Sequence, residues 1–330
     1  MSYKWGIIGT GRIARSFAAA LKGTCGAELY AVASRTGDKA RAFANEFGFE
    51  KAYGSYKELA VDSEVDVVYI ATPMSSHFDD AMLCLENGRN VLCEKTLTLN
   101  SSQLERVLDK AAEKNLFFME AMWMKCRPSF LKAVEWVQSG RIGKVEFIKA
   151  DFNNFMPYDP KDRVFALDCG GGALLDLGVY PITFAVDFLG MPEKIESCAH
   201  IRHGVDLSNS VTLKYPEGVF ALLSSGFEVQ NRNNAVISGT DGSVTLGDWF
   251  FCSDEAVLYD KDGNEVDRFD TPAGVNGYEY EVMEVQRCLD QGLTESFLVP
   301  YSSTVNVLRI MDRCRRDWGM FYPGEDPEDL

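Results

Sequence analysis

The sequence predicts an α/β protein that begins with a doubly wound parallel sheet and continues with an α+β domain around a large, open, mostly antiparallel sheet. Residues 4–14 read as an apolar strand, a glycine turn and the start of a helix. Strand and helix patterns then alternate over the first third of the 330-residue chain, which indicates βαβ units. From about residue 123 strand-like runs predominate, so we predict two domains, residues 1–122 and 123–330.

The elements of the first domain follow one another in the order that a parallel sheet requires. After the first strand and the helical run Ser16–Leu21, each apolar strand leads into an amphipathic run, and Asn87-Gly88 ends one of these helices. We predict strands at residues 28–33, 65–71, 90–93 and 116–120 and helices at residues 39–47, 78–86 and 101–114.

The second domain combines four helices with many short strands. Turn residues at 216–218, 241–242 and 262–263 separate several strand runs, which predicts antiparallel hairpins. We predict helices at residues 128–138, 173–188, 277–291 and 302–318 and strands at residues 145–152, 194–201, 210–215, 219–227, 234–238, 243–246 and 255–259. The acidic tail 324–329 is predicted to be disordered.

One strand of the second domain is apolar on both of its faces. Residues 219–223 read Val-Phe-Ala-Leu-Leu, whereas a strand with one face in water alternates apolar and polar residues. A sheet with helices on one side leaves its other face in need of cover. We therefore predict a homodimer that forms through the C-terminal sheet.

The composition and net charge of the chain argue against several kinds of partner and site. A net charge of −16 repels phosphate backbones, so we expect no nucleic-acid partner. We see no apolar stretch near the roughly 20 residues of a membrane helix, and the chain enters a strand at once, so we expect no membrane partner and a cytoplasmic location. Nine scattered cysteines predict reduced thiols, and we predict no metal site.

The glycine turn after the first strand indicates a bound dinucleotide. In Gly9-x-Gly11-x-x-Ala14, the first glycine permits a tight turn and the second lets the backbone approach a pyrophosphate. Ala14 keeps the helix close to the strand, and the amides at the helix start face the anion. The first domain is therefore predicted to be a dinucleotide-binding Rossmann domain. The alternative is a structural glycine turn in an ordinary βα unit.

The end of the second strand bears on the choice of cofactor. An acid there usually holds the ribose of NAD, whereas an arginine suits the 2′-phosphate of NADP. Glu28 lies at the start of that strand, while Ser34-Arg35 follow its end. We therefore favour NADP, with NAD as the alternative. Arg35 could instead be a solvated arginine at a helix start.

Two further segments place reactive side chains where a substrate could meet a nicotinamide. Lys95 directly follows an apolar strand, and its charge can polarise a carbonyl or stabilise an alkoxide. In the second domain three glycines, 170–172, open a helix on which Asp176 and Tyr180 share one face. A neighbouring cation would make the tyrosine useful for proton exchange near neutral pH. Taken singly, these could be a surface lysine and a structural helix.

Four motifs therefore stand together in this chain: Gly9-x-Gly11-x-x-Ala14; Ala71-Thr72-Pro73 followed by His77; Cys93-Glu94-Lys95; and Gly170-Gly171-Gly172-x-x-x-Asp176-x-Gly178-x-Tyr180. Their combination resembles the glucose–fructose oxidoreductase and inositol dehydrogenase family, Gfo/Idh/MocA, from residue 3 to about residue 320. Residues 119–123 and 172–180 look most like its branch of dimeric dihydrodiol dehydrogenases and NADP-dependent D-xylose dehydrogenases. In that branch a lysine and a tyrosine carry the acid–base work.

The resemblance implies a role for each matching position. Lys95 and Tyr180 would act at the reacting oxygen, and Asp176 would orient the substrate or support proton transfer. The implied pyrophosphate site is Gly9, Thr10, Gly11, Arg12 and Ile13, the 2′-phosphate site is Ser34 and Arg35, and the nicotinamide side is Thr72, Pro73, His77, Glu94 and Lys95. Trp123, Phe155 and Arg163 would line the substrate pocket together with Asp176 and Tyr180.

One position departs from the family pattern. The family usually has a proline directly after the catalytic lysine, and this chain has Thr96. A proline adopts a cis peptide bond cheaply, whereas a non-proline cis bond costs about 2.5–4 kcal/mol. Either the bond before Thr96 is trans and Lys95 points differently, or the scaffold enforces a cis bond.

The sequence thus predicts an NADP-dependent oxidoreductase that interconverts a secondary alcohol and a carbonyl on a small sugar, cyclitol or trans-dihydrodiol. The alternative is a non-catalytic regulator of the same fold that senses NAD(P). Such a protein has no need of Lys95 and Tyr180, and this chain has both. Fold-level resemblance does not choose the substrate.

Overall fold

A computed structural model describes residues 1–329 and divides the chain into two compact units. The first unit contains Met1–Thr98, Ser102–Cys126 and Ala273–Tyr301. The second contains Leu99–Ser101, Arg127–Pro272 and the described chain from Ser302 onward. The segment Ala273–Tyr301, which the sequence analysis counts with residues 123–330, thus packs with the N-terminal unit.

The first unit is built on a parallel sheet with helices between its strands. The strands lie in the order β3-β2-β1-β4-β5-β6, and their pairings are parallel. In chain order its elements are β1 (Tyr3–Ile8), α1 (Arg12–Gly23), β2 (Ala27–Ala33), α2 (Gly37–Phe47), β3 (Lys51–Tyr53), α3 (Tyr56–Ala60), β4 (Val67–Ile70), α4 (His77–Glu86), β5 (Asn90–Glu94), α5 (Ser101–Lys114, of which Ser101 belongs to the second unit) and β6 (Phe118–Ala121). The doubly wound fold that the sequence predicts is confirmed, and its strand order changes direction between β1 and β4.

The core of this unit is apolar, as the strand sequences require. Strands β1, β4 and β5 lie in the middle of the sheet, and their central residues are buried. A helix from late in the chain completes the unit. Residues 279–290 contact α1, Tyr278 stacks on Trp123 with ring centroids 4.3 Å apart, and Phe118 donates its amide to the carbonyl of Thr294 at 3.1 Å.

The second unit is built on a mixed sheet of eight strands within the described residues. Their order is β14-β13-β12-β11-β7-β10-β9-β8, with one parallel pair, β7 and β10. The remaining elements in chain order are α6 (Pro128–Gln138), β7 (Val145–Asn153), α7 (Val179–Leu189), β8 (Lys194–Arg202), β9 (Val205–Lys214), β10 (Phe220–Gly226), β11 (Ala235–Gly239), β12 (Gly242–Leu246), β13 (Glu255–Asp260), β14 (Glu265–Asp270), α8 (Glu279–Asp290, of the first unit) and α9 (Tyr301–Trp318). The predicted hairpins at 216–218, 241–242 and 262–263 are confirmed by antiparallel pairing.

Helices cover one face of this sheet and leave the other open. Helix α7 packs on β7 and β10, and α6 packs on β12 and β13. On the opposite face Phe220 and Leu222 are 38% and 41% exposed, and the Phe220 ring lies 5.1 Å from that of Phe147. The apolar character that the sequence shows on both faces of β10 is therefore exposed on one of them.

Two expectations about the second half are wrong. The stretch Leu167–Leu189 is long and apolar enough to cross a membrane, with a mean hydropathy of 1.4, although the sequence analysis expects no such stretch. Because 78% of its most apolar window is buried inside the protein, it has the setting of a core helix. The tail is not uniformly disordered either, since Glu325 forms an ion pair with buried Arg315 at 2.7 Å.

Candidate active site

The turn after β1 contains two glycines. Packing within the protein requires a glycine at position 9 but not at position 11. Gly9 has a φ of +101°, and a Cβ there would lie 2.6 Å from the carbonyl oxygen of Ala71. Gly11 is the N-cap of α1. Among residues 1–329, no side chain caps this helix, and a Cβ at Gly11 would meet no atom within 4 Å. This cradle fits the close approach of a phosphate to the first amides of the helix.

The carboxyl end of β2 carries a cation. Ser34 is buried, with its hydroxyl oxygen 3.4 Å from that of Thr10, and Arg35 beside it is exposed. Glu28 lies at the start of the strand, where it accepts a hydrogen bond from the Ser2 hydroxyl at 2.6 Å. Of the two residues that the sequence offers for the ribose, the arginine therefore stands at the edge where ligands of such sheets bind.

A histidine joins the turns that follow β4 and β5. His77 is 1% exposed, with Nδ1 2.9 Å from the Thr96 carbonyl oxygen and Nε2 2.9 Å from the Thr72 carbonyl oxygen. A neutral imidazole can donate to one of these acceptors, and an imidazolium to both. The Thr72 hydroxyl donates to Asp80 at 2.7 Å, and burial raises the pKa of Asp80 to about 6. Thr72, His77 and Thr96 thus form one connected group.

Glu94 is the last residue of β5, and Lys95 follows it directly. The Glu94 carboxylate is 8% exposed, accepts the hydroxyl of Tyr69, and accepts the backbone amide of Lys95 at 3.2 Å. The sequence leaves a trans or a cis peptide bond open before Thr96. The Lys95–Thr96 bond is cis. Glu94 therefore restrains the backbone from which the lysine side chain projects.

A second carboxyl group lies buried in this unit. Glu281, on α8, is fully buried, and neither of its carboxyl oxygens has a hydrogen-bond partner within residues 1–329. Burial, together with the charge of Glu94, raises its pKa well above the ordinary value. Burial and the neighbouring Glu94 carboxylate therefore both oppose ionisation of Glu281.

In the second unit, protein contacts account for the glycine run 170–172. Gly172 has a φ of +126°, and a Cβ there would lie 2.4 Å from Oδ1 of Asp206. The other carboxylate oxygen of Asp206 accepts the amide of Leu174 at 2.8 Å, and burial raises the pKa of Asp206 to about 6. The glycines thus admit a buried carboxylate beneath the loop.

Asp176 and Tyr180 lie on the helical segment that follows this loop. Residues Leu174–Gly178 form a π-helical turn, a feature often found at functional sites, and α7 begins at Val179. Asp176 is 9% exposed and pairs with the half-exposed guanidinium of Arg163 at 3.3 Å. Tyr180 is 5% exposed and packs against aromatic rings, with centroids 5.6 Å away at Phe152 and 4.8 Å away at Phe251.

Within each unit the structure brings some of the predicted site residues together. Arg163 joins Asp176, Thr10 joins Ser34, His77 joins Thr72, and Glu94 joins Lys95, in each case within one unit. Arg12 is exposed, Ile13 is half-buried and Pro73 is exposed. Trp123 lies in the first unit against Tyr278, whereas Phe155 lies exposed in the loop after β7.

Sequence reasoning missed several residues that support these groups. Asp80, Asp206, Trp249, Phe251 and Glu281 lie in segments that read as ordinary helix, strand or loop. Trp249 has a φ of +59° and meets Phe152 and Phe251 edge to face. A tryptophan in the left-handed region is uncommon, but this backbone angle cannot be read from the sequence.

Comparisons with known proteins identify the family of this chain. Residues 3–122 match the profile described as "Oxidoreductase family, NAD-binding Rossmann fold", and residues 130–245 match the GFO/IDH/MocA C-terminal domain. Trans-1,2-dihydrobenzene-1,2-diol dehydrogenase of Xenopus laevis is 34% identical over 98% of this chain and 100% of its own length. The enzyme of that name from Homo sapiens is 35% identical over 98% of this chain and 99% of its own length.

Solved structures share the complete fold. A 3-ketoreductase from Actinomadura kijaniata, determined with TDP-benzene and NADP, has a TM-score of 0.81 at 26% identity and covers 96% of this chain and 97% of its own. A levoglucosan dehydrogenase in complex with NADH and levoglucosan has a TM-score of 0.86 at 19% identity and covers 95% of this chain and 96% of its own. The second likeness is one of fold.

Proposed function

We propose that this chain, which belongs to the Gfo/Idh/MocA family of oxidoreductases, interconverts a secondary alcohol and a carbonyl on a small sugar, cyclitol or trans-dihydrodiol, with NADP as coenzyme. The observation that carries the proposal is Lys95 at the carboxyl end of β5, with its backbone amide held by the Glu94 carboxylate. Ligands of doubly wound sheets bind at this edge, and an ammonium there suits an oxygen on which negative charge develops.

The proposed chemistry divides between two side chains. A bound nicotinamide coenzyme supplies the hydride acceptor for oxidation and the donor for reduction. Lys95 stabilises the substrate oxygen. In oxidation the phenolate oxygen of Tyr180 takes the alcohol proton, and in reduction the resulting hydroxyl group returns it. Asp176, paired with Arg163, orients the remaining hydroxyl groups of the substrate.

The proposed coenzyme site lies at the carboxyl ends of four neighbouring strands, which stand in the order β2-β1-β4-β5 in the sheet. The pyrophosphate is assigned to residues 9–13, the 2′-phosphate to Ser34 and Arg35, and the nicotinamide side to Thr72, Pro73, His77, Glu94 and Lys95. The open cradle at Gly11 and the exposed guanidinium of Arg35 support this assignment.

Replacement of Arg35 tests the choice of coenzyme. We expect Arg35→Ala to raise the KM for NADP about 10- to 100-fold, because a charge-assisted hydrogen bond to phosphate is lost, and to leave the KM for NAD unchanged. Lys39→Ala, at an exposed cation of α2, is the matched control. Activity with NAD alone in the wild-type protein would reject the assignment of NADP.

The aromatic surroundings of Tyr180 support a ring-shaped substrate. Phe152 and Phe251 stack with centroids 4.2 Å apart beside Tyr180, and Trp249, 36% exposed, packs edge-on against both. Aromatic faces bind the apolar faces of rings, while Asp176 and Arg163 can bind hydroxyl groups. Trp123 and Phe155 are proposed to line the rest of the substrate pocket.

A parallel screen tests the activity itself. Aldoses, cyclitols and cyclic diols are offered with NADP and with NAD, and the absorbance of the reduced coenzyme is followed. We expect Lys95→Met and Tyr180→Phe each to lower kcat about 100-fold or more while NADP still binds. Lys132→Met, on the surface of α6, and Tyr215→Phe, beside the far end of α7, are the controls.

A regulator that senses NAD(P) is the second candidate, because the fold alone would serve both roles. The same two variants separate the candidates. A regulator would retain both coenzyme binding and its response to a partner when Lys95 and Tyr180 are replaced. Loss of turnover with intact coenzyme binding favours the enzyme.

The proposal includes a homodimer through the open face of the second sheet and a cytoplasmic location. The exposed side chains of Phe220 and Leu222, next to Phe147, support the dimer, since monomers rarely leave such a patch in water. Sedimentation at micromolar concentration tests it, and a monomer there would reject this part of the proposal.

A further inference from the structure

The end of the chain contacts the glycine loop that precedes Asp176. We define the C-terminal clamp as residues 320–325. Within it Tyr322 is 3% exposed and donates its hydroxyl hydrogen to the carbonyl oxygen of Gly171 at 2.8 Å. The terminal methyl group of Met320 lies 3.2 Å from the position that a Cβ on Gly172 would occupy. The clamp thus lies against two of the three glycines.

A buried arginine fixes the clamp. Arg315, on α9, is fully buried and donates to both carboxylate oxygens of Glu325, at 2.7 and 3.0 Å. Its guanidinium also lies over the Tyr322 ring, 4.6 Å from the centroid. Glu325 in turn accepts the backbone amide of Tyr322 at 2.8 Å. Bidentate pairing of this kind fixes direction as well as distance, so the Tyr322 ring has one orientation.

The same groups hold the short segment Leu99–Ser101, which follows Lys95 by four residues. Arg315 donates to the carbonyl oxygen of Leu99 at 2.9 Å, and the Asn100 side-chain amide donates to Glu325 at 2.8 Å. The Ser101 amide donates to Asp312 at 2.8 Å. One buried network therefore holds both this segment and the glycine loop.

The glycine loop is held on two sides. The amides of residues 170–172 donate to the carbonyl oxygens of Leu167, Ala166 and Val164 at 2.9–3.1 Å, and the clamp adds a contact to the Gly171 carbonyl oxygen. Glycine has more backbone freedom than any other residue, and three in succession form a flexible hinge unless neighbouring groups restrain them. The amide of Asp176 donates to the carbonyl oxygen of Gly172 at 3.3 Å, so a displacement of the loop moves the start of the π-helical turn. Asp176 lies within that turn, and Tyr180 follows it in the first turn of α7.

We infer that Tyr322 is a positioning residue, which acts through Gly171 to set the place of Asp176 and Tyr180 for turnover. This inference rests on the proposed function, in which those two side chains meet the substrate. It assigns a role in the reaction to the segment that leads into the acidic tail 324–329, and Glu325 of that tail accepts the backbone amide of Tyr322.

The test compares two tyrosines that make the same kind of hydrogen bond at opposite ends of one helical segment. Tyr322→Phe removes the bond to Gly171 and retains the ring. Tyr215→Phe removes the bond from a buried tyrosine to the Gly190 carbonyl, at 3.1 Å, next to the C-terminal end of α7. Both variants lose one tyrosine hydroxyl group. Tyr322→Phe removes the hydrogen bond that precedes the helical segment, and Tyr215→Phe removes the one that follows it.

Five quantities are measured for each full-length variant: kcat and KM for trans-cyclohexane-1,2-diol and D-xylose, the Kd for NADP, the melting temperature, and amide hydrogen exchange of residues 170–176. We expect Tyr322→Phe to lower kcat about tenfold, less than the roughly 100-fold that a misplacement of 1 Å can cost. The Kd for NADP should stay unchanged, and exchange in 170–176 should accelerate. Tyr215→Phe should change neither kcat nor exchange there.

The outcomes separate this inference from the proposed function. A kcat for Tyr322→Phe equal to that of Tyr215→Phe, with unchanged exchange in residues 170–176, overturns the inference while the enzyme stays active. If the wild-type protein oxidises neither probe nor any other alcohol in the screen, the proposed function fails, and exchange alone then decides whether Tyr322 holds the loop. A loss in melting temperature that is equal in both variants, with kcat lowered only in Tyr322→Phe, supports positioning.

Discussion

Replacement of Asp206 by Asn should make the protein's stability less dependent on pH. Asp206 is fully buried and accepts hydrogen bonds from the Leu174 amide and the Asn209 side-chain amide on one oxygen, both at 2.8 Å. Its other oxygen has no hydrogen-bond partner in the described part of the chain. An asparagine can keep the accepting oxygen and cannot ionise, so the substitution removes a buried charge and retains the hydrogen bonds.

The sign and size of the effect follow from the pKa. Burial raises the pKa of Asp206 from 3.8 to about 6, although the nearby Arg315 guanidinium acts in the opposite direction. The folded protein therefore binds a proton that the unfolded chain has already lost, and stability falls as the pH rises through this window. A difference of about two pKa units corresponds to ~3 kcal/mol, all of which is lost above pH 6.

Urea denaturation of both proteins between pH 4 and pH 8 measures the difference. The free energy of unfolding of Asp206→Asn, minus that of the wild type, should increase by ~2 kcal/mol from pH 4 to pH 8, since the unfolded carboxyl is still partly protonated at pH 4. A steric cost of the amide group beside Gly172 would shift all points equally and leave this slope intact. Asp262→Asn, in the exposed turn between β13 and β14, is the control. A flat difference would contradict the reasoning.

Further substitutions test the glycine assignments and the open sheet face. Gly11→Ala should change the free energy of unfolding by no more than ~1 kcal/mol and weaken NADP binding about tenfold or more, because the added methyl group meets the ligand and no atom of residues 1–329. Gly9→Ala should lower the free energy of unfolding, measured by denaturation, by several kcal/mol. Gly172→Ala should destabilise the protein by about 1–3 kcal/mol more than Gly263→Ala, since both have a positive φ and only the former would meet a buried carboxylate; equal losses would refute the clash. Leu222→Asp should give a monomer in sedimentation at unchanged folding, and a persistent dimer would show that another face associates.

Local sequence pattern was sufficient for most of the first unit. Each of its longer strands is an apolar run followed by a helical pattern, and parallel βαβ units leave few alternatives for their order. Strand β3 was not predicted, because its three residues, Lys51–Tyr53, are too short to show a periodicity. The packing of α8 with this unit was not predicted either. An amphipathic pattern shows that a helix has an apolar face, but it does not show which part of the protein that face contacts.

In the second unit the hairpins were predictable and the remaining pairings were not. Turn residues specify which neighbours in the chain pair, so β9 with β10 and β11 with β12 followed from the sequence. The parallel pairing of β7 with β10 joins strands that are far apart in the chain and leaves no local pattern. Strand β14, Glu265–Asp270, was missed because an exposed edge strand with three acidic residues does not resemble a buried one.

The site residues divide in the same way. Lys95, Asp176 and Tyr180 follow motifs whose spacing is visible in the chain, whereas their supporting groups come from elsewhere. The acidic composition of residues 324–329 indicated a disordered tail. Composition does not reveal that Glu325 pairs with the buried Arg315. The glycine run 170–172 is visible in the sequence, whereas the position of Asp206 beneath Gly172 is not.

The three-part first unit has a consequence for how the protein is made. Its sheet is complete at residue 121, but α8, which packs on α1, is translated some 150 residues later. At bacterial or eukaryotic rates of about 5–20 residues per second, the ribosome leaves this half unfinished for on the order of ten seconds or more. During that interval the outer strand β6 lacks the backbone that later bonds to Phe118, so the nascent chain presents an open sheet edge for chaperones to shield.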